Sequence, residues 1–420
     1  MTLWCSQMIP QHHLYEQVLE VLCAADMSSF FDIVYIITVK YILLDIWYNS
    51  VNKFDSIRPY KNEEVNQVLI DLSNNRRFLK MLFKTGEFPY IKYLPFSRKI
   101  LGSYLLRQFK NIIDVKSYQD MFENIVTNVI EKSIERFSYS GLENISASKS
   151  YLFISNHRDI TLDSALLNLT LHQNNFNTTN NAVGNNLLNE KWASDLMRLN
   201  KSFIIDRSDK SKREIYKSLN LASEFIHESI LNKNESIWIA QKQGRSKDGN
   251  DYTDPSVIKM IHLNARKKIP INDYLNSLNV VPISISYEKD PNDIRKANEL
   301  YLTDINHAYE KDPKEDLESI AEGIRGQKGK VHLHVGKILN FEHDSYEKCS
   351  DEITLAIKST YKNFSTNYAA AIIQGKKVNI ENFSNHEIDA AVSYLKERMT
   401  EISEEMQPYL LNQYSRSLEI

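Results

Sequence analysis

The chain reads as an α/β protein: a mixed, mainly parallel sheet flanked by helices, with a helical N-terminal region in front of it. Three observations carry that expectation. Short apolar runs at 151–154, 203–205, 237–240 and 281–286 each end in a polar turn, as buried strands do. Segments of helical periodicity alternate with them, which argues a mainly parallel or mixed sheet covered by helices. Ahead of the first strand, apolar residues recur at three- and four-residue steps, the helical period.

Taken in order, the chain begins with an apolar run at 30–48, interrupted by Asp32, Lys40 and Asp45. A membrane span needs about 20 mainly apolar residues, and charges near its centre are costly. The run is therefore expected to be a buried or interfacial helix. Acidic residues enter it, and no basic segment precedes it, so it does not read as a signal peptide. Residues 1–50 are set apart as an N-terminal extension. Residues 62–84 carry Val65, Val68, Leu69, Leu72, Phe78, Leu79 and Leu82 on a helical period, with a break at Ser73-Asn74-Asn75. The stretch 88–99 interleaves Phe88, Tyr90, Tyr93 and Phe96 with prolines, Lys92, Arg98 and Lys99. Rings and snorkelling cations suit a membrane–water interface; a loop packing its rings on the core has the same composition. Together with the residues up to Lys110 it is the candidate for peripheral attachment to a membrane surface.

A helix is predicted over 115–137, ending near Ser138, and Ser140-Gly141-Leu142 leads into the first strand. The turn from Ser155 to Asp163 follows, then a helix over 164–171. A short strand at 181–184, a helix at 187–199, a strand at 201–207 ending in Arg207, and a long helix at 208–231 begun by Ser208 come next. The strand 237–240 runs into the polar turn 241–249. Further strands are expected at 280–287, with Pro282 early in it, and at 330–335. The domain division is then 1–50, a helical region 51–145, an α/β domain 146–340 and a C-terminal helical region 341–420.

Composition excludes several classes. The 420 residues are 42% hydrophobic and 25% charged, ordinary for a globular protein. A net charge of −3 gives no support to nucleic-acid binding. Cys5, Cys23 and Cys349 are far apart and form neither a metal spacing nor a disulfide framework, which suits a reducing compartment. The eleven histidines make no HExxH pattern, His12-His13 read as surface residues, and no glycine-rich phosphate loop is present.

The chemistry is expected around Ser155-Asn156-His157-Arg158-Asp159-Ile160-Thr161-Leu162-Asp163. A His at the tip of a buried strand, with a carboxylate just downstream, fits a general base and its orienting partner. The same turn also fits a helix N-terminus capped by Asp159 or Thr161. His157, Arg207 and Arg245 each follow a predicted strand, and functional groups of such sheets gather at the strands' carboxyl ends.

Four ordered blocks resemble the glycerol-phosphate acyltransferase family over about residues 140–336. They are Asn156-His157 with Asp163, then Phe203-Ile204-Ile205-Asp206-Arg207, then Gln243-Gly244-Arg245-Ser246, then Val280-Val281-Pro282-Ile283-Ser284-Ile285. Two departures stand out. Five residues rather than four lie between His157 and Asp163, and the third block has Gln243 where the family has Glu and lacks a Thr before Arg245. The resemblance implies acyl transfer from a thioester, acyl-CoA or acyl carrier protein, to a hydroxyl of glycerol phosphate, dihydroxyacetone phosphate or a lysophospholipid, with no cofactor and no metal. It implies His157 as base and Asp163 as its partner, with Asp159 as understudy. Arg207 and Arg245 are the first choices for a phosphorylated acceptor, with Lys242 and Arg158 behind them. Gly244 and Ser246 complete the turn, Gly244 allowing close backbone approach. The protein is expected in the cytoplasm, peripheral to a membrane. The other reading is a lipid- or membrane-binding protein on the same fold with little or no catalysis.

Overall fold

The computed structural model describes residues 53–84, 90–185, 190–206, 211–312 and 315–419. Cys5, Cys23, the His12-His13 pair, the apolar run 30–48, Phe88, Leu187, Arg207 and Ser208 lie outside the described residues. The chain divides into two units, Met1–Ser56 and Ile57–Ile420. Of the first, only the turn from residue 53 onward is described; all elements below belong to the second.

Helices α1 (Asn62–Asn74) and α2 (Arg76–Lys84) meet at Asn75, where the break is expected. The Asn75 side chain accepts from the Arg77 and Phe78 amides, both at 3.0 Å, so it restarts the chain as the N-cap of α2. Helices α3 (Ser97–Phe109) and α4 (Val115–Ser133) follow, the second capped by Asp114. Val65, Leu69, Leu72, Leu101 and Tyr118 form their shared core, joined by Trp192 and Leu199.

Here the structure departs from the sequence reading, which carries α4 on to residue 137. The helix stops at Ser133, and Arg136–Ser140 becomes strand β1. Two contacts distant in sequence decide it. Lys328 N–H donates to the Ser133 carbonyl at 2.8 Å, and β1 then pairs in parallel with residues 330–334. The alternation of Arg136-Phe137-Ser138-Tyr139-Ser140 has the strand period, and pairing overrides the helical continuation.

The remaining strands are β2 (Leu152–Ser155), β3 (Asn180–Gly184), β4 (Ser202–Ile205), β5 (Ile237–Ala240), β6 (Val280–Tyr287) and β7 (Lys330–Val335). They form a seven-stranded sheet in the order β1-β7-β6-β2-β5-β3-β4. β2 through β6 run parallel to one another, and β7 is antiparallel to β6. The sheet is thus mixed and mainly parallel, as the sequence predicts. Pro282 sits in β6, a central strand, where a missing N–H is normally costly. Its carbonyl faces the β7 side and accepts from Gly336 at 2.8 Å, and β7 pairs with β6 only from Ile283 onward. The absent donor therefore falls just beyond the ladder.

Helices α5 (Leu162–Gln173), α6 (Lys191–Leu199) and α7 (Lys212–His227) connect the first strands. The cap of α7 is Ser211, in a capping box with Glu214, rather than the expected Ser208. Helices α8 (Pro255–Ile261) and α9 (Ile271–Ser277) precede β6, and α10 (Asp293–Asn306) and α11 (Glu315–Arg325) precede β7. After β7 come α12 (Tyr346–Ser359), α13 (Ser365–Ile373), α14 (Asn385–Thr400) and α15 (Gln407–Ser415). The main core lies along the sheet, from Phe153, Leu166 and Trp238 to Ile283, Val331 and Leu333. A second closes the C-terminal helices around Ala369, Leu395, Leu410 and Tyr414, with Ala297 of α10 inside it. No helix among the described residues is long and apolar enough to cross a membrane.

Candidate active site

β2 lies in the middle of the sheet, so its carboxyl end opens between β6 and β5. Asn156, fully buried, continues the ladder past the last strand residue. Its Oδ1 accepts from Ile285 N–H at 2.8 Å and its Nδ2 donates to the Ile285 carbonyl at 2.9 Å. The amide side chain thus imitates a peptide group and pins the end of β2 to β6. On the other side, Gln241 N–H donates to the Ser155 carbonyl at 2.8 Å, and Ser246 N–H to the His157 carbonyl at 2.6 Å. The turn after β5 is therefore held along the His157 turn.

His157 Nδ1 lies 2.8 Å from Asp163 Oδ2. The extra residue between them leaves the pair within hydrogen-bond reach. Asp163 is fully buried and is met on every side. Its Oδ2 also accepts from the Arg158 and Asp159 amides at 2.7 and 3.1 Å, and its Oδ1 from Tyr287 Oη at 2.8 Å. Burial first, then the Asp163 charge, push the Tyr287 phenol well up, so it stays a donor. The imidazole stands edge-on to the Trp238 ring at 5.8 Å between centroids, and 14% of its side chain reaches the surface.

Asp159 has other partners. Its Oδ1 accepts from Thr161 and Leu162 amides at 2.9 and 2.8 Å, which is the work of a helix cap. Burial, then the Asp163 charge beside it, raise its carboxyl above the usual range. The Thr161 side chain makes no cap.

The predicted basic groups are sorted by the structure. Arg158 is buried and its Nη2 lies 2.6 Å from Asp251 Oδ2, over the Tyr361 ring. Burial works against its charge, and Asp251 outweighs that, so its guanidinium is held even more firmly charged than usual. Lys242 turns toward its own loop, donating to the Asn250 carbonyl at 3.1 Å, with its amine pulled down by burial. Arg245 differs: its Nη1 is buried without a hydrogen-bond partner, and its charge acts on Asp290 and Lys296. The Ser246 hydroxyl is likewise buried and unpartnered. Gly244 has φ +74°, and no atom lies within 4 Å of the position a Cβ would take. β2 and β5 are parallel, so His157 and the Arg245 turn share one edge of the sheet, and the two turns are hydrogen-bonded to each other.

Residues 136–286 match the family model described as Acyltransferase. The matched segment runs from β1 to the end of β6 and includes the His157 turn and the Arg245 turn. Among solved structures, the chain is similar to 1-acyl-sn-glycerophosphate (LPA) acyltransferase, PlsC, from Thermotoga maritima, at 14% identity and a TM-score of 0.35, covering 71% of this chain and 96% of that one. No curated protein matches the chain.

Sequence reasoning missed Tyr287, Trp238, Asp251, Asp290 and Lys296. Tyr287 ends a run predicted as a strand, and its position at a carboxyl end was a usable signal. Asp251 and Lys296 reach the His157 turn from distant loop and helix positions and carry no local signature.

Proposed function

We propose that the chain is an O-acyltransferase. It moves a fatty acyl group from an acyl thioester, acyl-CoA or acyl carrier protein, to a hydroxyl of a glycerol-phosphate or lysophospholipid-type acceptor. The observation that carries this reading is the His157–Asp163 pair, 2.8 Å apart at the carboxyl edge of the sheet, inside the segment matching the Acyltransferase model. With Nδ1 engaged by Asp163, Nε2 is the ring nitrogen left to accept the acceptor's hydroxyl proton. The acceptor oxygen then bonds the thioester carbonyl carbon, the carbon–sulfur bond breaks, and the proton held by His157 passes to the departing thiolate. Asp163 keeps the tautomer and offsets the imidazolium charge during the step. No enzyme nucleophile is needed.

Arg245 is the first candidate for the acceptor's phosphate, because a half-buried arginine whose Nη1 has no hydrogen-bond partner in the protein suits bidentate anion recognition. Arg207 is proposed beside it on the strength of its sequence block. Arg158, already held by Asp251, and Lys242 stand behind them. Gly244 leaves room for backbone approach. Attachment to the cytoplasmic face of a membrane is proposed through the exposed rings of Tyr90, Tyr93 and Phe96. Cations lie close by, in a cleft of about 560 Å³ lined by Arg76, Arg77, Lys80 and Arg98.

Turnover of acyl-CoA and acyl carrier protein thioesters with glycerol phosphate, dihydroxyacetone phosphate and lysophospholipids tests the reading. His157→Ala is expected to lower kcat roughly 10²–10⁴-fold, the usual contribution of a general base. Retained turnover in that variant removes His157 from the role. Lipid binding without turnover in the wild type favours the non-catalytic alternative.

A further inference from the structure

Lys296 lies on α10, beyond the matched segment 136–286, and is almost fully buried at 1% exposure. Burying an ammonium is costly unless each of its donors is met. One goes to the Asp290 carboxylate. Another goes to the Arg158 carbonyl at 2.8 Å. That carbonyl belongs to the residue directly after His157. Three other backbone groups of the turn are met from elsewhere: the His157 carbonyl by Ser246, the Arg158 and Asp159 amides by Asp163. Lys296 supplies the donor for the Arg158 carbonyl.

Its base is firm. The first residue of α10, Asp293, is fully buried and pairs with Arg398 of α14, with Nε at 3.2 Å. Tyr414 of α15 donates to Asp293 Oδ2 at 2.8 Å, and its Oη accepts from Asp290 N–H at 3.1 Å. The C-terminal helices therefore fix the turn 290–293, and that turn fixes Lys296.

Asp290 has a second cation near it. The Arg245 charge acts on both Asp290 and Lys296. With Lys296 on Asp290, Arg245 is not its sole counter-ion, and its Nη1 stays open.

We infer that Lys296 is a positioning residue for the acyl-transfer site, holding the His157 turn through the Arg158 carbonyl and occupying Asp290 so that Arg245 is left for an anionic acceptor. This rests on the acyltransferase reading above for its kinetic part; the positioning of the turn does not.

The test uses the full chain and two variants. Lys296→Met removes the donor and leaves Asp290 uncompensated beside Arg245. Lys296→Met/Asp290→Asn removes the donor and restores the charge balance. In Lys296→Met, kcat is expected to fall roughly ten- to a hundredfold, the range for a misplaced catalytic group, with KM for a phosphorylated acceptor rising as Arg245 turns to Asp290. In the double variant KM returns to within a few-fold of wild type while kcat stays low. Amide exchange of the peptide 155–163, read by mass spectrometry, should be faster in both variants, and it reports the turn whether or not turnover is seen. A double variant with wild-type kcat and wild-type exchange overturns the inference, and so does loss of the folded state in both variants, which makes Lys296 structural. Faster exchange together with an active His157→Ala variant instead leaves the positioning of the turn standing and fails the acyltransferase mechanism.

Discussion

At the residue scale, two carboxylates on one turn have separate partners. Asp163 gives its oxygens to the imidazole, two amides and the Tyr287 hydroxyl, while Asp159 caps the helix start. Asp163→Asn places an amide against Nδ1 and is expected to lower turnover roughly 10²–10⁴-fold. Asp159→Ala removes a cap and is expected to cost about 1 kcal/mol with most turnover retained. Asp159→Asn keeps the cap oxygen and removes the charge. Because folding raises the Asp159 pKa, the folded state binds more protons than the unfolded one just above the ordinary carboxylate range. Stability attributable to this group therefore falls as pH rises through that window. Asp159→Asn should be more stable than wild type at pH 7–8 and lose that advantage under acid conditions. Turnover and melting temperature across pH decide it; an inactive Asp159→Asn beside an active Asp163→Asn reverses the roles.

At the element scale, the loop after β5 is held between the His157 turn and the C-terminal helices. Gly244 and Gly249 both have positive φ, at +74° and +75°, but differ in surroundings. A Cβ at Gly244 meets nothing within 4 Å, whereas one at Gly249 meets the Asn412 and Gln413 carbonyls of α15 at 2.7 Å. Gly244→Ala is expected to cost only the backbone penalty, about 1–2 kcal/mol. Gly249→Ala adds a clash with backbone that cannot move cheaply, so its melting temperature should fall further. It should also reduce turnover, since Asp248, Asp251 and Ser246 shift with the loop. Thermal melts and kcat of the two variants check this; equal losses mean that the loop does not depend on its seat against α15.

On the scale of the whole molecule, the sheet supplies a rigid edge, and the C-terminal helices hold the turn 290–293 that reaches it. Tyr90, Tyr93 and Phe96 are 86%, 79% and 77% exposed. Rings left in water beside cations suit the headgroup region of a bilayer. Flotation with vesicles containing anionic lipid is expected to carry the wild type and lose most of a Tyr90→Ala/Tyr93→Ala/Phe96→Ala variant, with added salt weakening both. A folded triple variant that floats like wild type assigns attachment to another part of the chain.

The sequence by itself determined the parallel strands and the order of the site's turns, because both are written locally. Buried strands of a parallel sheet are short apolar runs, and their carboxyl ends carry the polar residues that follow. That His157 and Arg245 follow neighbouring parallel strands was legible for that reason. Tertiary structure alone decided the rest. Whether Arg136–Ser140 is helix or strand depends on β7, almost two hundred residues later in the chain, whose register pairs Arg136 with Lys330. Arg158 and Arg245 look alike in sequence, and they differ only because Asp251 reaches the first and leaves the second open. Lys296 and Tyr287 enter the site through space, from a helix and a strand end whose own periodicity says only that they are helix and strand. Hydrogen bonds between distant segments have no pattern along the chain, so which buried charge meets which partner is settled only when the sheet brings the segments together.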